Sequence, residues 1–232
     1  MNYATQEHDN ETLYREVRRN ISQLVRSFPE ACDRVVPSCP DWTVRDLISH
    51  LVDICGLVIE RISGDTPHLA SKDTDDITRL MGIWESVGTQ VENMMRDDHG
   101  NSALMVMDAF THELDLHHAL GTSPREDHPA FFRSFEVLVS GVSESVAEHE
   151  LPAVIVQLER REWKLGNGEP RNTVTGGHYD LYRSFAGRRS NRQINALSWG
   201  SDPVSWLPAF TWKAFSPPVV DVEPHPSGWT FR

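Results

Sequence analysis

The stretch Met107-Asp108-Ala109-Phe110-Thr111-His112-Glu113-Leu114-Asp115-Leu116-His117-His118-Ala119-Leu120-Gly121 decides how the chain is read. On a helix turning about 100° per residue, Ala103, Met107, Phe110 and Leu114 make one apolar stripe. Asp108, His112 and Asp115 fall within a sector of about 60° on another side. Leu104, Met105, Leu116 and Ala119 border that sector. A helix apolar on most sides is a buried helix, and Gly121 suits the left-handed turn that closes it. An acid and an imidazole at i and i+4 in such a place need a partner, because an unpaired buried charge is costly. A divalent metal is one partner; a plain Asp–His hydrogen bond is the other.

Three more helices precede this one. Leu13, Val17, Ile21, Leu24, Val25 and Phe28 repeat at helical spacing and predict a helix over 12–28, ended near Pro29. Val36 to Trp42 reads as a loop, because two prolines discourage helix. Thr43 and Asp46 have the spacing of a capping box, and Leu47, Leu51, Ile54, Val58 and Ile62 give the core stripe of the helix they open. His50 faces inward beside that stripe. The third helix is expected over 74–96, with Ile77, Leu80, Trp84, Val87, Val91 and Met94 as a heptad-like seam. Residues 97–100 read as the turn into the fourth. Four amphipathic helices with modest connections predict an antiparallel bundle, whose sites are built from facing helices. His50, Asp108 and His112 are the candidates to converge there, and three protein ligands with an open position suit a catalytic metal.

After Gly121 a polar, proline-bearing loop leads to a fifth helix over 130–148. The character then changes. Residues 153–158, 162–165, 172–175 and 194–199 read as strands, 178–186 as a helix stopped by Gly187, and 203–210 as a short helix. The last twenty or so residues, rich in proline and aromatics, read as an extended tail. The expected class is α+β, with a helical bundle over 1–150 and a small α/β domain over 151–232.

The formal net charge of −12 disfavours a nucleic-acid partner or an anionic membrane surface. No run approaches the roughly 18 apolar residues of a membrane span, and the first ten residues lack a signal-peptide core, so a cytoplasmic location is expected. Cys32, Cys39 and Cys55 fit no zinc ribbon or redox pair and read as reduced thiols, with Cys55 a small core residue.

Val36-Pro37-Ser38-Cys39-Pro40-Asp41-Trp42-Thr43-Val44-Arg45-Asp46-Leu47-Ile48-Ser49-His50-Leu51 resembles the P-x-C-P-x-W-x-V-x-D-L-x-x-H-L opening of the mycothiol-dependent maleylpyruvate isomerase family. His112 to Leu116 with Ala119-Leu120-Gly121, and Asp180 to Ser190, resemble two later segments of it in the right order. The resemblance implies a DinB-like four-helix bundle with a smaller C-terminal α/β domain. It implies a divalent metal, most often zinc, held by His50, Asp108 and His112. Asp108 departs from the pattern: the family commonly has Glu there, one methylene longer. Glu113 is a poor substitute, about 140° away around the helix, and His117 and His118 point away from the site, toward surface or loop. The resemblance also implies a functional arginine in the C-terminal domain, for which Arg188 and Arg189 are the candidates.

The function implied is a metal-dependent enzyme that uses a low-molecular-weight thiol, mycothiol, as nucleophile. Its reaction would be isomerisation or S-transfer on a small electrophilic substrate. Two alternatives stay open: a thiol-independent zinc hydrolase on the same bundle, and a non-catalytic binding module that has lost the metal.

Overall fold

The computed structural model describes residues 9–64, 76–96 and 102–222. The expected turn at 97–100, the expected start of the third helix at 74 and the end of the tail lie outside them. Contacts divide the chain into Met1–Ser134 and Phe135–Arg232. The expected boundary at 150 thus falls inside the second unit, which takes most of the fifth helix with it.

The first unit is built from α1 (Asn10–Ser27), a hairpin of β1 (Val35–Val36) and β2 (Cys39–Thr43), α2 (Val44–Ser63), α3 (Ile77–Met95) and α4 (Ser102–Leu120). The hairpin replaces the expected loop. Val35 pairs with Thr43 and Val36 with Cys39, a short antiparallel ribbon in which Pro37 and Pro40 need no ladder hydrogen bond. Thr43 caps α2 in the expected box, its hydroxyl accepting from Asp46 N–H while the Asp46 carboxylate accepts from Thr43 N–H. From Met105 to Leu116 every residue of α4 except Asp108 is buried, as its all-round apolarity requires. Gly121 ends it at φ +70°, a backbone that glycine adopts without cost.

Side-chain pairs fix the helix directions. Arg18 reaches Glu85 and Glu92, Arg15 reaches Glu92, and Arg96 reaches Glu11, so α1 and α3 run antiparallel. Asn10 with Ser102 and Asn20 with Glu113 make α1 and α4 parallel. His50 faces Asp108, while Ile54 to Ile62 share a cavity with Met105 and Ser102, so α2 runs against α4. It follows that α2 and α3 are parallel. The bundle is as expected, but this pair is not antiparallel: residues 64–76 exceed the roughly two to eight residues that join helix hairpins.

In the second unit α5 (Phe131–Glu148) precedes β3 (Ala153–Leu158), β4 (Arg161–Leu165), β5 (Pro170–Thr175), α6 (His178–Phe185), α7 (Asn191–Asn195) and β6 (Ser198–Trp199). The sheet order is β4-β3-β5-β6, with β3 and β5 parallel and the other pairs antiparallel. The strand expected over 194–199 is only its last two residues. Ser190 and Gln193 form a capping box that turns 191–195 into helix. The tail is also less extended than its composition suggests. Trp212 is buried, its ring lies where a Cβ on Gly141 of α5 would sit, and its indole N–H donates to Phe185 O at 3.0 Å.

Candidate metal centre

Because the capping box fixes where α2 begins, His50 stands about two turns into the helix, and β2 sets Trp42 beside it. On α4, Asp108 and His112 are one turn apart. The three expected residues meet. His50, Asp108 and His112 each present a ligand atom, and these atoms lie within 4.8 Å of one another. Asp108 Oδ1 is 3.7 Å from His50 Nε2 and 3.8 Å from His112 Nε2, so the shorter carboxylate still reaches midway between the imidazoles. Two nitrogens and one carboxylate oxygen this close fit a single divalent ion, and the donor set suits zinc. His112 is buried, whereas His50 and Asp108 are about a quarter exposed, which leaves one side accessible.

Behind His112 stands Asp115. His112 Nδ1 is 3.0 Å from Asp115 Oδ2, and Ser38 Oγ donates to Asp115 Oδ1 at 2.8 Å. With its proton on Nδ1, directed at this fully buried carboxylate, His112 offers the Nε2 lone pair to the site. The sequence places Asp115 in the right sector, but not as the hydrogen-bond partner of His112. The i+3 spacing from His112 carried that signal; Ser38 is a tertiary partner that spacing could not reveal. Trp42 packs against both imidazoles, with ring centroids 4.9 Å from His50 and 5.9 Å from His112.

Tyr14 and Cys55 are buried nearby, with the hydroxyl 3.1 Å from Sγ. Burial pushes the Cys55 thiol up to about 11, and the Asp108 charge adds to the rise. Tyr14 is raised well above its ordinary value, chiefly by burial and with the same contribution from Asp108. Cys55 is therefore a neutral thiol at pH 7 and no nucleophile.

Glu113 faces elsewhere. It accepts from Asn20 at 3.1 Å, and His128 Nε2 lies 3.4 Å from its other oxygen. His128 is buried against Phe110 with ring centroids 4.6 Å apart, an interior place that its proline-bearing loop did not predict. His117 and His118 are half-buried, and His117 faces the loop after α4, as expected. His117 Nδ1 is 2.7 Å from Thr122 Oγ1, and burial first, then His128, lowers its pKa to about 4.

Arg188 and Arg189 are both buried in the second unit. Arg188 donates to Ala186 O at 2.9 Å and lies over the Phe215 ring. Arg189 pairs with Asp180 at 3.0 Å, lies over Tyr179, and lines a polar cavity of about 390 Å³ with Gly177, Ser184 and Arg192.

Fold and site together define a class: a helical bundle that gathers two imidazoles and a carboxylate, followed by a small α/β unit. Residues 14–80 match the model of the mycothiol maleylpyruvate isomerase N-terminal domain. The crystal structure of the mycothiol-dependent maleylpyruvate isomerase is similar over 83% of this chain and 92% of its own, at 15% sequence identity and a TM-score of 0.58. A His-to-Ala variant of that enzyme aligns with the same coverage at 14% identity and a TM-score of 0.57. At such identity the likeness is one of fold. No curated protein matches the sequence significantly. No helix among the described residues is long and apolar enough to cross a membrane.

Proposed function

We propose that the chain is a metal-dependent enzyme whose nucleophile is a low-molecular-weight thiol, mycothiol by family, acting on a small electrophile by isomerisation or S-transfer. The observation that carries this reading is the convergence of His50, Asp108 and His112, with Asp115 behind His112. A bound divalent ion supplies positive charge that keeps a thiol in its nucleophilic thiolate form near pH 7. Zinc is the ion the donor set favours. His50, Asp108 and His112 hold it, Asp115 fixes the His112 tautomer, and Trp42 shields the two imidazoles on one side. Cys55, buried and neutral, is not the reacting sulfur, and in this reading the sulfur comes with the cofactor.

Arg188 and Arg189 are proposed to serve a substrate carboxylate, for which a guanidinium offers a planar two-bond fork. Both guanidiniums are engaged within the unit, Arg188 with Ala186 O and Phe215 and Arg189 with Asp180, and Arg189 is the stronger candidate because it lines a cavity. The test is consumption of an electrophile panel by the zinc-loaded chain with and without mycothiol. Turnover that needs both supports the proposal. Turnover that ignores the thiol transfers the site to a zinc hydrolase, and a chain that takes up no metal ends both readings. Arg189→Ala is expected to lower turnover with metal content unchanged.

A further inference from the structure

A second feature of the bundle lies along the helices that carry His50 and Asp108, one turn further on. A cavity of about 610 Å³ is lined from α2 by Ile54, Val58 and Ile62, from α3 by Val91 and Met94, and from α4 by Met105. Ile54 lies one turn beyond His50 along α2. Met105 lies one turn before Asp108 along α4, which runs the opposite way. Both helices therefore lead from the metal ligands into this cavity. From Ile54 to Ile62 it extends about 12 Å at 1.5 Å per residue. Because α2 and α3 are parallel, their C-terminal ends form its outer part. Arg61 and Ser102 are its polar lining residues. Leu57 at its rim is 60% exposed and Ile62 39%, more apolar surface than a closed core leaves in water.

We infer that the substrate of the proposed thiol chemistry is amphipathic: a reactive head at His50, Asp108 and His112, and a hydrocarbon chain or ring laid along Ile54, Val58, Met94 and Met105, its far end near Arg61. This rests on the functional reading above and specifies its substrate class. The volume lies within the roughly 300–1,000 Å³ of small-molecule sites. A small, multiply charged substrate would set its charges against apolar walls at a large desolvation cost, whereas a hydrocarbon gains by leaving water.

The test uses the full chain loaded with zinc and a series of straight-chain hydroxamates from acetyl to decanoyl, titrated calorimetrically. The head binds metal in every member, so only the tail varies. Affinity is expected to rise about fourfold per added methylene, the equivalent of about 0.8 kcal/mol, until the cavity is filled. Leu57→Asp at the exposed rim and Val58→Trp inside should flatten that rise and leave acetohydroxamate binding as it was. A metal-independent arm uses 1-decanol, which should raise the thermal midpoint of metal-free wild type but not of Val58→Trp. A flat series in wild type, with acetohydroxamate bound, overturns the inference while the metal reading stands. So does a chain that sediments as a dimer and is dissociated by Leu57→Asp, since the groove would then receive a second copy. Failure to load zinc removes the metal reading, and the decanol arm still decides whether the cavity takes a hydrocarbon.

Discussion

One helix carries the same motif twice. Asp108-x-x-x-His112 and Glu113-x-x-x-His117 are both an acid followed by a histidine one turn later on α4. Each pair also has a second imidazole nearby, His50 for the first and His128 for the second. Their fates differ. Around Asp108 the ligand atoms converge within 4.8 Å; among the described residues no other group of three such side chains does. Around Glu113 neighbouring side chains engage the pair: Asn20 donates to one carboxylate oxygen, and Thr122 meets His117. The pairs differ in access as well. Asp108 is 29% exposed, whereas Glu113 is 2% exposed. An i, i+4 acid and histidine thus make a candidate metal site only where a third possible ligand converges and one side stays open.

The comparison can be broken at either end. The largest effect is expected from Asp108→Ala, which should weaken zinc binding more than a hundredfold and leave the fold intact, read by metal content after dialysis. The loss should exceed the 10–100-fold typical of outer partners. If this variant keeps its zinc, the two pairs have been assigned in reverse.

The next effect belongs to the second pair. The folded-state pKa of His117 is lowered to about 4 from 6.5. Between those values the unfolded chain binds more protons, so stability present at pH 7 is lost as the pH falls from about 6.5 toward 4. The loss from this group amounts to at most about 3 kcal/mol. Urea midpoints between pH 7 and 4 should show it, and His117→Gln should reduce the slope. An unchanged slope would mean that His117 is protonated without penalty.

A smaller effect is expected behind the proposed metal ligands. Asp115→Asn should cost about 10–100-fold in zinc affinity by releasing the His112 tautomer, with little change in thermal midpoint; equal affinity would make Asp115 a purely structural partner. Smallest is Glu113→Gln, which keeps the size of the side chain and its bond with Asn20. It should cost about 1 kcal/mol of stability and no zinc, and a loss of zinc would erase the distinction between the pairs.

Much of this was legible because it is local. Thr43 and Asp46 announce the start of α2, and the apolar surround of Asp108 and His112 announces a buried helix with a polar sector. The inward His50 needed only helical spacing. Other parts depend on residues far apart in the chain. Pro37 and Pro40 argue against helix, which made a loop of residues that pair as a hairpin. Ile194 to Trp199 has the look of a short strand, but Ser190 with Gln193 caps a helix through its first half. His128 and Ser38 lie in segments without periodicity, so only the fold shows that they meet Glu113 and Asp115. The parallel course of α2 and α3 is set by how the bundle closes, which no single helix records.

Cys55, sealed against Tyr14 beneath the site, also gives the protein a built-in clock. Cys32 and Cys39 are half-buried, whereas Cys55 is fully buried and neutral. A thiol reagent added to the native protein should exhaust the first two quickly and then wait for the bundle to open. The slow phase times that opening without denaturant. A ligand bound at His50 and Asp108 should lengthen it by a factor of one plus the ratio of free ligand concentration to Kd, whether or not the ligand is ever turned over.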